Sequence, residues 1–180
     1  MSTPPEDPRL ALLRARVRDI PDFPKPGILF RDLTPLMGDG LALQQTVAML
    51  AERLAPHRPE VILAVESRGF IFGAPVAAAL GIGFVPVRKP GKLPFRIARR
   101  SYALEYGSDT LEMHADAVVA GARVAIVDDL LATGGTAQAT LELARELGGE
   151  VAIAAFVVEL EFLRGRERLA GARVESLIVY

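Results

Sequence analysis

The stretch VAIVDDLLATGGTAQAT, residues 124–140, constrains the fold more than any other part of the chain. Its first four residues are apolar and mostly β-branched, which is typical of a central strand in a parallel sheet. Two adjacent carboxylates, Asp128 and Asp129, follow that strand, and a loop with two glycines then leads into residues with helical spacing. Because open α/β sheets bind ligands at the carboxyl ends of their strands, this order predicts a ligand site there.

The loop after the carboxylates, here called the glycine loop, is predicted to bind a phosphate. Glycines permit a tight turn and a close backbone approach, and the start of a helix directs N–H groups and partial positive charge outward. No lysine follows the glycines, as a Walker A motif requires, and the spacing is not that of a dinucleotide fingerprint. The simpler alternative is an ordinary turn with Thr136 as the helix N-cap. The residues of the glycine loop are Ala132, Thr133, Gly134, Gly135 and Thr136.

The carboxylate pair, Asp128 and Asp129, favours function over a plain turn. Adjacent carboxylates repel each other, so a ligand that uses both is expected. The vicinal hydroxyls of a ribose would do so, and so would a magnesium ion shared with phosphates. Together with the glycine loop, the pair predicts a site for a phosphorylated sugar.

Composition excludes several classes of protein. A chain of 180 residues, 51% of them hydrophobic, fits a single domain over residues 1–180. A net charge of −1 argues against a broad nucleic-acid surface. There is no cysteine, no apolar run long enough to span a bilayer and no signal-peptide pattern, so we expect a cytoplasmic protein without membrane contact.

Strands and helices alternate along the chain. Apolar runs predict strands at 61–65, 83–87, 124–127 and 151–158, and helical spacing is found at 10–18, 41–54, 72–80 and 136–148. A polar excursion occupies residues 89–109, with a short strand expected at 110–114. This alternation predicts an α/β fold with a doubly wound, mostly parallel sheet flanked by helices.

Two segments that contain basic residues follow the first two predicted strands. Glu66-Ser67-Arg68-Gly69 ends the first, in a position that mirrors the carboxylate pair on its own strand. Six cations and no acidic residue lie between Arg88 and Arg100, and Phe95 is the one aromatic residue among them, which gives nucleic-acid bases little to stack on. A diphosphate is the better ligand, with Arg88 and Lys92 ranked first and the last three arginines expected mostly in water.

The whole 124–140 run closely resembles the motif by which type I phosphoribosyltransferases bind 5-phosphoribosyl 1-diphosphate (PRPP). The resemblance implies the fold of that family, ribose binding by Asp128 and Asp129, and 5′-phosphate binding by the glycine loop. It also implies that the loop with Ser67 and Arg68 takes the diphosphate, often with a cis peptide at the bond corresponding to Glu66–Ser67.

Two more segments resemble adenine phosphoribosyltransferases in particular. KPGKLPF and SYALEYG, at 89–95 and 101–107, are similar to the hood of that family over about residues 89–109, and imply an acid–base role for Glu105. FPKPGILFRDLTP, at 23–35, resembles its base-binding segment over about residues 20–36. There Phe30 would stack on adenine, backbone groups from Leu29 to Arg31 would recognise its edge, and Arg31 would anchor the segment through Asp32 or another carboxylate.

The resemblance implies the reaction of adenine with PRPP to give AMP and diphosphate, a step of purine salvage. Magnesium would be carried by the substrate, without a metal site of the protein, because His57 and His114 are too few and too far apart for one. A homodimer is implied as well. Two alternatives remain: a phosphoribosyltransferase for guanine, xanthine or orotate, and a non-catalytic regulator that senses PRPP.

Overall fold

The computed structural model of the chain describes residues 7–103 and 108–180. The chain divides into two units, Met1–Ala48 and Met49–Tyr180. The first contains helix α1 (Pro8–Ala15), the antiparallel strands β1 (Arg18–Pro21) and β2 (Leu29–Asp32), and the short helix α2 (Thr34–Gly38). Helix α3 (Gly40–Leu54) begins in the first unit and ends in the second.

A sheet of five parallel strands lies at the centre of the second unit. The strands of this unit are β3 (Val61–Val65), β4 (Gly83–Val87), β5 (Ile97–Ala103), β6 (Ser108–His114), β7 (Arg123–Leu131), β8 (Glu150–Glu159) and β9 (Arg173–Val179). Five of them pair in the order β4-β3-β7-β8-β9, every pair parallel, whereas β5 and β6 form an antiparallel hairpin, here called the hood hairpin. The predicted parallel sheet is therefore confirmed.

Two helices, α4 (Arg68–Leu80) and α5 (Gly135–Glu146), cover opposite faces of this sheet. Gly73 of α4 lies against Ile62 and Ala64 of β3, whereas α5 shares a hydrophobic cluster with Leu63 and Val65. Because side chains alternate between the faces of a strand, the two helices lie on different sides, as in a doubly wound fold. Short 3-10 helices lie at Ala55–His57, Glu161–Leu163 and Gly165–Arg168.

The middle strands are buried on both faces, which explains their uninterrupted apolar sequences. The four residues from Val124 to Val127 are fully buried, and so are those from Ala154 to Val158 of β8. A strand covered by helices on both sides needs apolar residues at every position rather than at alternate ones.

The strand order reverses between β3 and β7. From β3 the chain continues through α4 to β4 on one side, and from β7 it continues through α5 to β8 on the other. The loops leaving the two carboxyl ends therefore diverge and open a crevice, which is where ligands of such sheets bind.

The structure corrects the predicted end of β7. The strand continues to Leu131, so Asp128 and Asp129 lie within it rather than after it. Its pairing is one-sided there: β7 pairs with β8 as far as Leu131, but with β3 only as far as Val127. The carboxylate pair thus lies on a strand held from one side, next to the point where β3 has ended.

Other boundaries differ as well. Helix α4 begins at Arg68, four residues earlier than predicted, and the polar excursion contains strand β5. The sequence pattern did not predict β1, β2 or β9; β9 reads RVESLIV, in which polar residues interrupt the apolar ones, as suits a strand at the edge of the sheet. Among the residues described, no helix is long and apolar enough to cross a membrane.

Candidate active site

A cavity of about 270 Å³ opens where the strand order reverses. Residues 65–68 after β3 line one side, Lys89 after β4 contributes to the wall, and the stretch from Asp128 to Ala137 lines the rest. The structure thus brings together the predicted ribose residues, the entire glycine loop, and Ser67 and Arg68.

The glycine loop leads directly into α5, whose N-cap is Gly134 rather than Thr136. Gly134 has a φ of 81°, and a Cβ there would lie 2.5 Å from the carbonyl oxygen of Gly165. Both constraints require glycine. The first N–H groups of a helix have no partners within it, so this loop offers donors to an anion at the cavity wall.

The segment after β8 braces the glycine loop from behind. The Leu160 N–H donates to the Leu131 carbonyl at 2.9 Å, and Gly165 packs against the backbone of Ala132 and Gly134. Glu159, at the end of β8, accepts hydrogen bonds from Arg166 at 2.5 and 2.7 Å and from Ser176 at 2.6 Å. Sequence patterns did not predict the packing of this segment against the glycine loop, because the packing joins backbone atoms of residues that are far apart in the chain.

The carboxylate pair is held in a poorly solvated environment. Burial raises the pKa of Asp128 well above its ordinary value, and the neighbouring charge of Asp129 raises it further. Burial also raises the pKa of Asp129, although the Arg68 guanidinium opposes the shift. Among the described residues, Asp129 Oδ2 has no hydrogen-bond donor. A ligand hydroxyl could therefore donate to it.

Arg68 and Gly69 set the distance between α4 and β7. Arg68 Nε lies 2.9 Å from Asp129 Oδ2. The two groups form an ion pair, but they are not aligned for a hydrogen bond. A Cβ on Gly69 would lie 2.7 Å from Asp128 Oδ1, so this position admits only glycine at the present spacing. Gly69 is a site residue that the sequence argument named without giving it a role.

Glu66 organises the cations predicted to bind diphosphate. Its side chain is 7% exposed and accepts hydrogen bonds from Arg88 Nε and Lys92 Nζ, each at 2.7 Å, and from the Lys89 N–H at 3.1 Å. Burial alone would raise the pKa of Glu66, but the hydrogen bonds from Lys92 and Arg88 outweigh it and lower the pKa. The Glu66–Ser67 peptide is cis. We call Glu66, Arg88 and Lys92 the Glu66 cluster.

Lys89 belongs to the cavity although the sequence argument ranked it below Arg88 and Lys92. Its ammonium group pairs with Asp109 near the start of β6 in the hood hairpin, and Tyr102 OH lies 3.3 Å from the same carboxylate. Tyr102 OH also lies 3.2 Å from Thr136 Oγ1. These contacts connect the hood hairpin to the glycine loop.

The other hood arginines differ from one another. Arg96 and Arg99 are exposed, as predicted, but Arg100 is half-buried and pairs with Glu142 and Glu146 of α5 at 3.4 and 2.9 Å. Glu105, the predicted acid–base residue, lies outside the described residues.

In the first unit, Leu29, Phe30 and Arg31 form most of β2. Phe30 packs edge-on against Phe23, with ring centroids 5.1 Å apart, and Leu29 is 44% exposed. Arg31 pairs with Asp19 of β1, a carboxylate other than Asp32.

Asp32 instead anchors the end of β2 to the start of α2. It accepts hydrogen bonds from the Thr34 hydroxyl and N–H, and it pairs with Arg18 at 2.6 Å. The Thr34 hydroxyl, followed by Arg18, lowers the pKa of Asp32 to about 2. Asp32 is therefore a structural carboxylate of this segment, and Leu29 and Phe30 remain exposed or half-exposed on the same strand.

In the part of the chain that the structure describes, no group of three or more histidine or acidic side chains could hold a metal ion. The carboxylate pair lines the cavity, and among the described residues the buried Asp129 Oδ2 has Arg68 as an ion-pair partner but accepts no hydrogen bond. This arrangement fits contact with a hydroxyl or with the hydration shell of a cation carried by a substrate.

Comparisons with known proteins identify the family of the chain. The model of the phosphoribosyl transferase domain family matches residues 39–170. The chain is 58% identical to the adenine phosphoribosyltransferase of Desulfitobacterium hafniense over 91% of its own length and 95% of that protein.

Solved structures give the same result. The adenine phosphoribosyltransferase of Thermoanaerobacter pseudethanolicus superposes with a TM-score of 0.92 at 52% identity, over 95% of this chain and 99% of that one. The Saccharomyces cerevisiae enzyme, solved with D-2,5-dideoxy-2,5-imino-altritol 1,6-bisphosphate and adenine, gives a TM-score of 0.88 at 41% identity, over 94% and 98% of the two chains. The chain therefore belongs to the adenine phosphoribosyltransferases, a family of pentosyltransferase enzymes within the type I phosphoribosyltransferases.

Proposed function

We propose that this protein transfers the 5-phosphoribosyl group of PRPP to adenine, forming AMP and diphosphate in purine salvage. The observation that carries the proposal is the composition of one cavity, which joins a backbone phosphate site, a carboxylate pair and a cationic loop. A ribose with a phosphate at one end and a diphosphate at the other requires these three kinds of group. The yeast relative, bound to adenine and a sugar-like bisphosphate, supports the choice of substrates.

The glycine loop is proposed to hold the 5′-phosphate, which stays on the sugar throughout the reaction. Backbone N–H groups at the start of α5 and the hydroxyls of Thr133 and Thr136 would donate to it. Because the loop is fixed by its glycines and by Gly165, binding there would orient the distant reacting carbon.

The carboxylate pair is proposed to accept hydrogen bonds from the ribose hydroxyls. Among the described residues, Asp129 Oδ2 accepts no hydrogen bond, although Arg68 lies beside it as an ion pair, so a sugar hydroxyl would add a hydrogen bond that the carboxylate lacks. The pair would then fix the sugar ring between its two charged ends, so that the reacting carbon presents one face to the base.

In the proposed reaction, a bond forms between N9 of adenine and the anomeric carbon, and the bond from that carbon to the diphosphate oxygen breaks. The electron pair goes to the diphosphate, and the N9 proton is released. Ser67, Arg68, Arg88 and Lys92 are proposed to stabilise the leaving group. Magnesium enters as part of the substrate, where it neutralises diphosphate charge.

Adenine is proposed to bind to Leu29, Phe30 and Arg31 of the first unit, with Phe30 as the stacking side chain. Glu105 is proposed to handle the purine proton, an assignment that rests on the family resemblance. If a Glu105→Gln variant turns over as fast as the unmodified protein, Glu105 has no such role.

The decisive experiment supplies labelled adenine, PRPP and magnesium and measures AMP. Well-folded protein that forms no AMP would overturn the proposal. Replacing adenine with guanine, xanthine or orotate in the same assay tests the related transferases, and we expect adenine to give the highest kcat/KM. A PRPP-sensing regulator would bind PRPP without consuming it.

We also propose that the protein is a cytoplasmic homodimer and a single domain, as in the sequence-based prediction. Light scattering after gel filtration measures the mass in solution, which we expect to be about twice the 19.3 kDa of one chain. Cell fractionation tests the location.

A further inference from the structure

Glu66 is a buried carboxylate without a part in the proposed reaction. It begins the loop between β3 and α4, and it lines both the cavity described above and a more open neighbouring pocket to which Phe70, Arg88 and Lys92 also contribute. At 7% exposure it is among the least solvated charged groups at the site. A buried charge is costly unless it is paired, and both partners of Glu66 are cations from the loop after β4.

These two cations are among the four residues assigned to the diphosphate. Arg88 Nε and Lys92 Nζ each donate to Glu66 at 2.7 Å, and Arg88 also donates to the Lys92 carbonyl at 3.3 Å. Arg88 and Lys92 are 34% and 49% exposed, so the cations face the pocket while their counter-ion lies behind them. The donors that a diphosphate would need are already occupied in part by a carboxylate of the protein.

We propose that Glu66 is an internal counter-ion that competes with diphosphate for Arg88 and Lys92 and so weakens its binding. The assignment of these cations to diphosphate rests on the proposed function. Glu66 acts through the cations rather than on the reacting atoms, so it is a positioning residue.

The effect follows from charge. A diphosphate carries several negative charges and displaces a single carboxylate from the cations. Glu66 remains near the cations because it directly follows β3. Its negative charge therefore repels the bound anion. The diphosphate product is therefore held less tightly than by the two cations alone, which favours its release. A carboxylate that merely aligned the cations would have the opposite effect, since its loss would weaken diphosphate binding.

The test is calorimetric titration of the protein with diphosphate alone, without magnesium. Glu66→Gln keeps the shape and the acceptor oxygen but removes the charge, and we expect diphosphate to bind about tenfold more tightly, equivalent to about 1.4 kcal/mol. AMP, whose phosphate belongs in the glycine loop, is expected to bind with unchanged affinity. A purely structural defect would weaken the binding of both ligands.

Glu112→Gln is the matched control. Glu112 is also a carboxylate with little solvent exposure and lies next to the same loop, but its side chain accepts from the Gly91 N–H at 2.9 Å and pairs with Arg99 at 3.6 Å. Its loss is expected to leave diphosphate affinity unchanged. Equal tightening in both variants would mean that net charge, rather than Glu66, sets the affinity, and would overturn the inference.

Unmodified protein provides a second measurement should Glu66→Gln fail to fold. The Nε–H proton resonance of Arg88, assigned by its loss in Arg88→Lys, is expected to shift when diphosphate is added, because its acceptor changes. No shift at saturating diphosphate would contradict the exchange. If neither AMP nor diphosphate binds to the unmodified protein, the proposed function fails; if both bind and Glu66→Gln does not tighten diphosphate, only this inference fails.

Discussion

The two regions that are proposed to bind anions are constructed in different ways. The glycine loop contains no charged side chain and relies on backbone N–H groups, fixed by Gly134 and by the packing of Gly165. The Glu66 cluster consists of long, partly exposed cationic side chains paired to an internal carboxylate. The glycine loop is thus a rigid backbone structure, whereas the Glu66 cluster consists of charged side chains that can change partners. We call them the rigid region and the exchangeable region.

This difference matches what each region would have to do in the proposed reaction. The 5′-phosphate is present in both PRPP and AMP, so a rigid site can bind it in the same way before and after the reaction. Diphosphate must be stabilised as it leaves and must then depart, so its site gains from side chains that have another partner available. Orientation of the sugar and release of diphosphate thus depend on different parts of the protein.

The largest effect is expected from a change to the rigid region. Gly134→Ala places a Cβ 2.5 Å from the Gly165 carbonyl at a φ of 81°, and backbone on both sides must shift. Because a small misplacement of an orienting site is costly, we expect kcat/KM for PRPP to fall by about a hundredfold. Steady-state kinetics with varied PRPP and saturating adenine measures it.

Gly81→Ala is the control for backbone strain alone. Gly81 has a φ of 67° at the end of α4, and a Cβ there would meet open space. The variant should lose about 1 kcal/mol of stability and keep its activity. If Gly134→Ala were as active as Gly81→Ala, the description of the glycine loop as a rigid site would be wrong.

The exchangeable region should respond in a graded way. Arg88→Gln removes one charged donor, and we expect kcat/KM for PRPP to fall by about 10- to 30-fold, within the usual range for a charge-assisted hydrogen bond. The variant also leaves Glu66 with one cation fewer. Adding Glu66→Gln should therefore restore part of the loss, and a double-mutant cycle on kcat/KM gives the coupling between them.

Additive losses in that cycle would show that Arg88 and Glu66 act independently, and the comparison between the two regions would lose its basis. Arg96→Gln, at an exposed position of the hood, is the matched control for the removal of one cation. It should have little effect on either kinetic constant.

The rigid region could largely be predicted from the sequence. A β-branched run, two aspartates and a glycine loop are local along the chain, and the order of strands and helices sufficed for the parallel sheet. The bounds of β3 and β4 matched because each strand is a short apolar run bounded by other residues, although only β3 is mostly buried and β4, at the edge of the sheet, is only partly so. What could not be predicted was the length of β7, because pairing with β8 extends it through two charged residues.

The exchangeable region was predicted only in part. Arg88 and Lys92 were identified as cations of the right kind, but a cluster of positive residues does not reveal its counter-ion. Glu66 lies 22 residues before Arg88 in the chain, and only the parallel pairing of β3 with β4 brings the two strand ends together. The contact of Tyr102 with Thr136 is equally remote in sequence. Contacts set by strand order require the fold to be known first.

The smallest expected effect uses pH to compare the carboxylates of the two regions. Burial raises the pKa of Asp128, so the folded protein holds a proton that the unfolded chain releases, and stability falls as pH rises from about 3.8 through the raised value. The pKa of Glu66 is lowered, so its contribution is present above about 4.5 and is lost as pH falls through the lower folded value. At pH 7, Asp128→Asn should therefore raise the Tm of the unliganded protein and Glu66→Gln should lower it. For a chain of this size, about 1 kcal/mol corresponds to about 2 to 4 °C in Tm.

Both differences should shrink as the pH is lowered, that of Asp128→Asn while the pH falls toward about 4 and that of Glu66→Gln only below about 4.5. Scanning calorimetry of the two variants and the unmodified protein between about pH 3.5 and about pH 7 measures both differences. Shifts of the same sign would contradict the contrast between two adjacent carboxylates that share one cation, Arg68, and a single carboxylate, Glu66, that is paired with two. Opposite signs would show that the charge of Asp128 on β7, where the ribose is proposed to bind, destabilises the unliganded protein. They would also show that the charge of Glu66, beside the proposed diphosphate site, stabilises it.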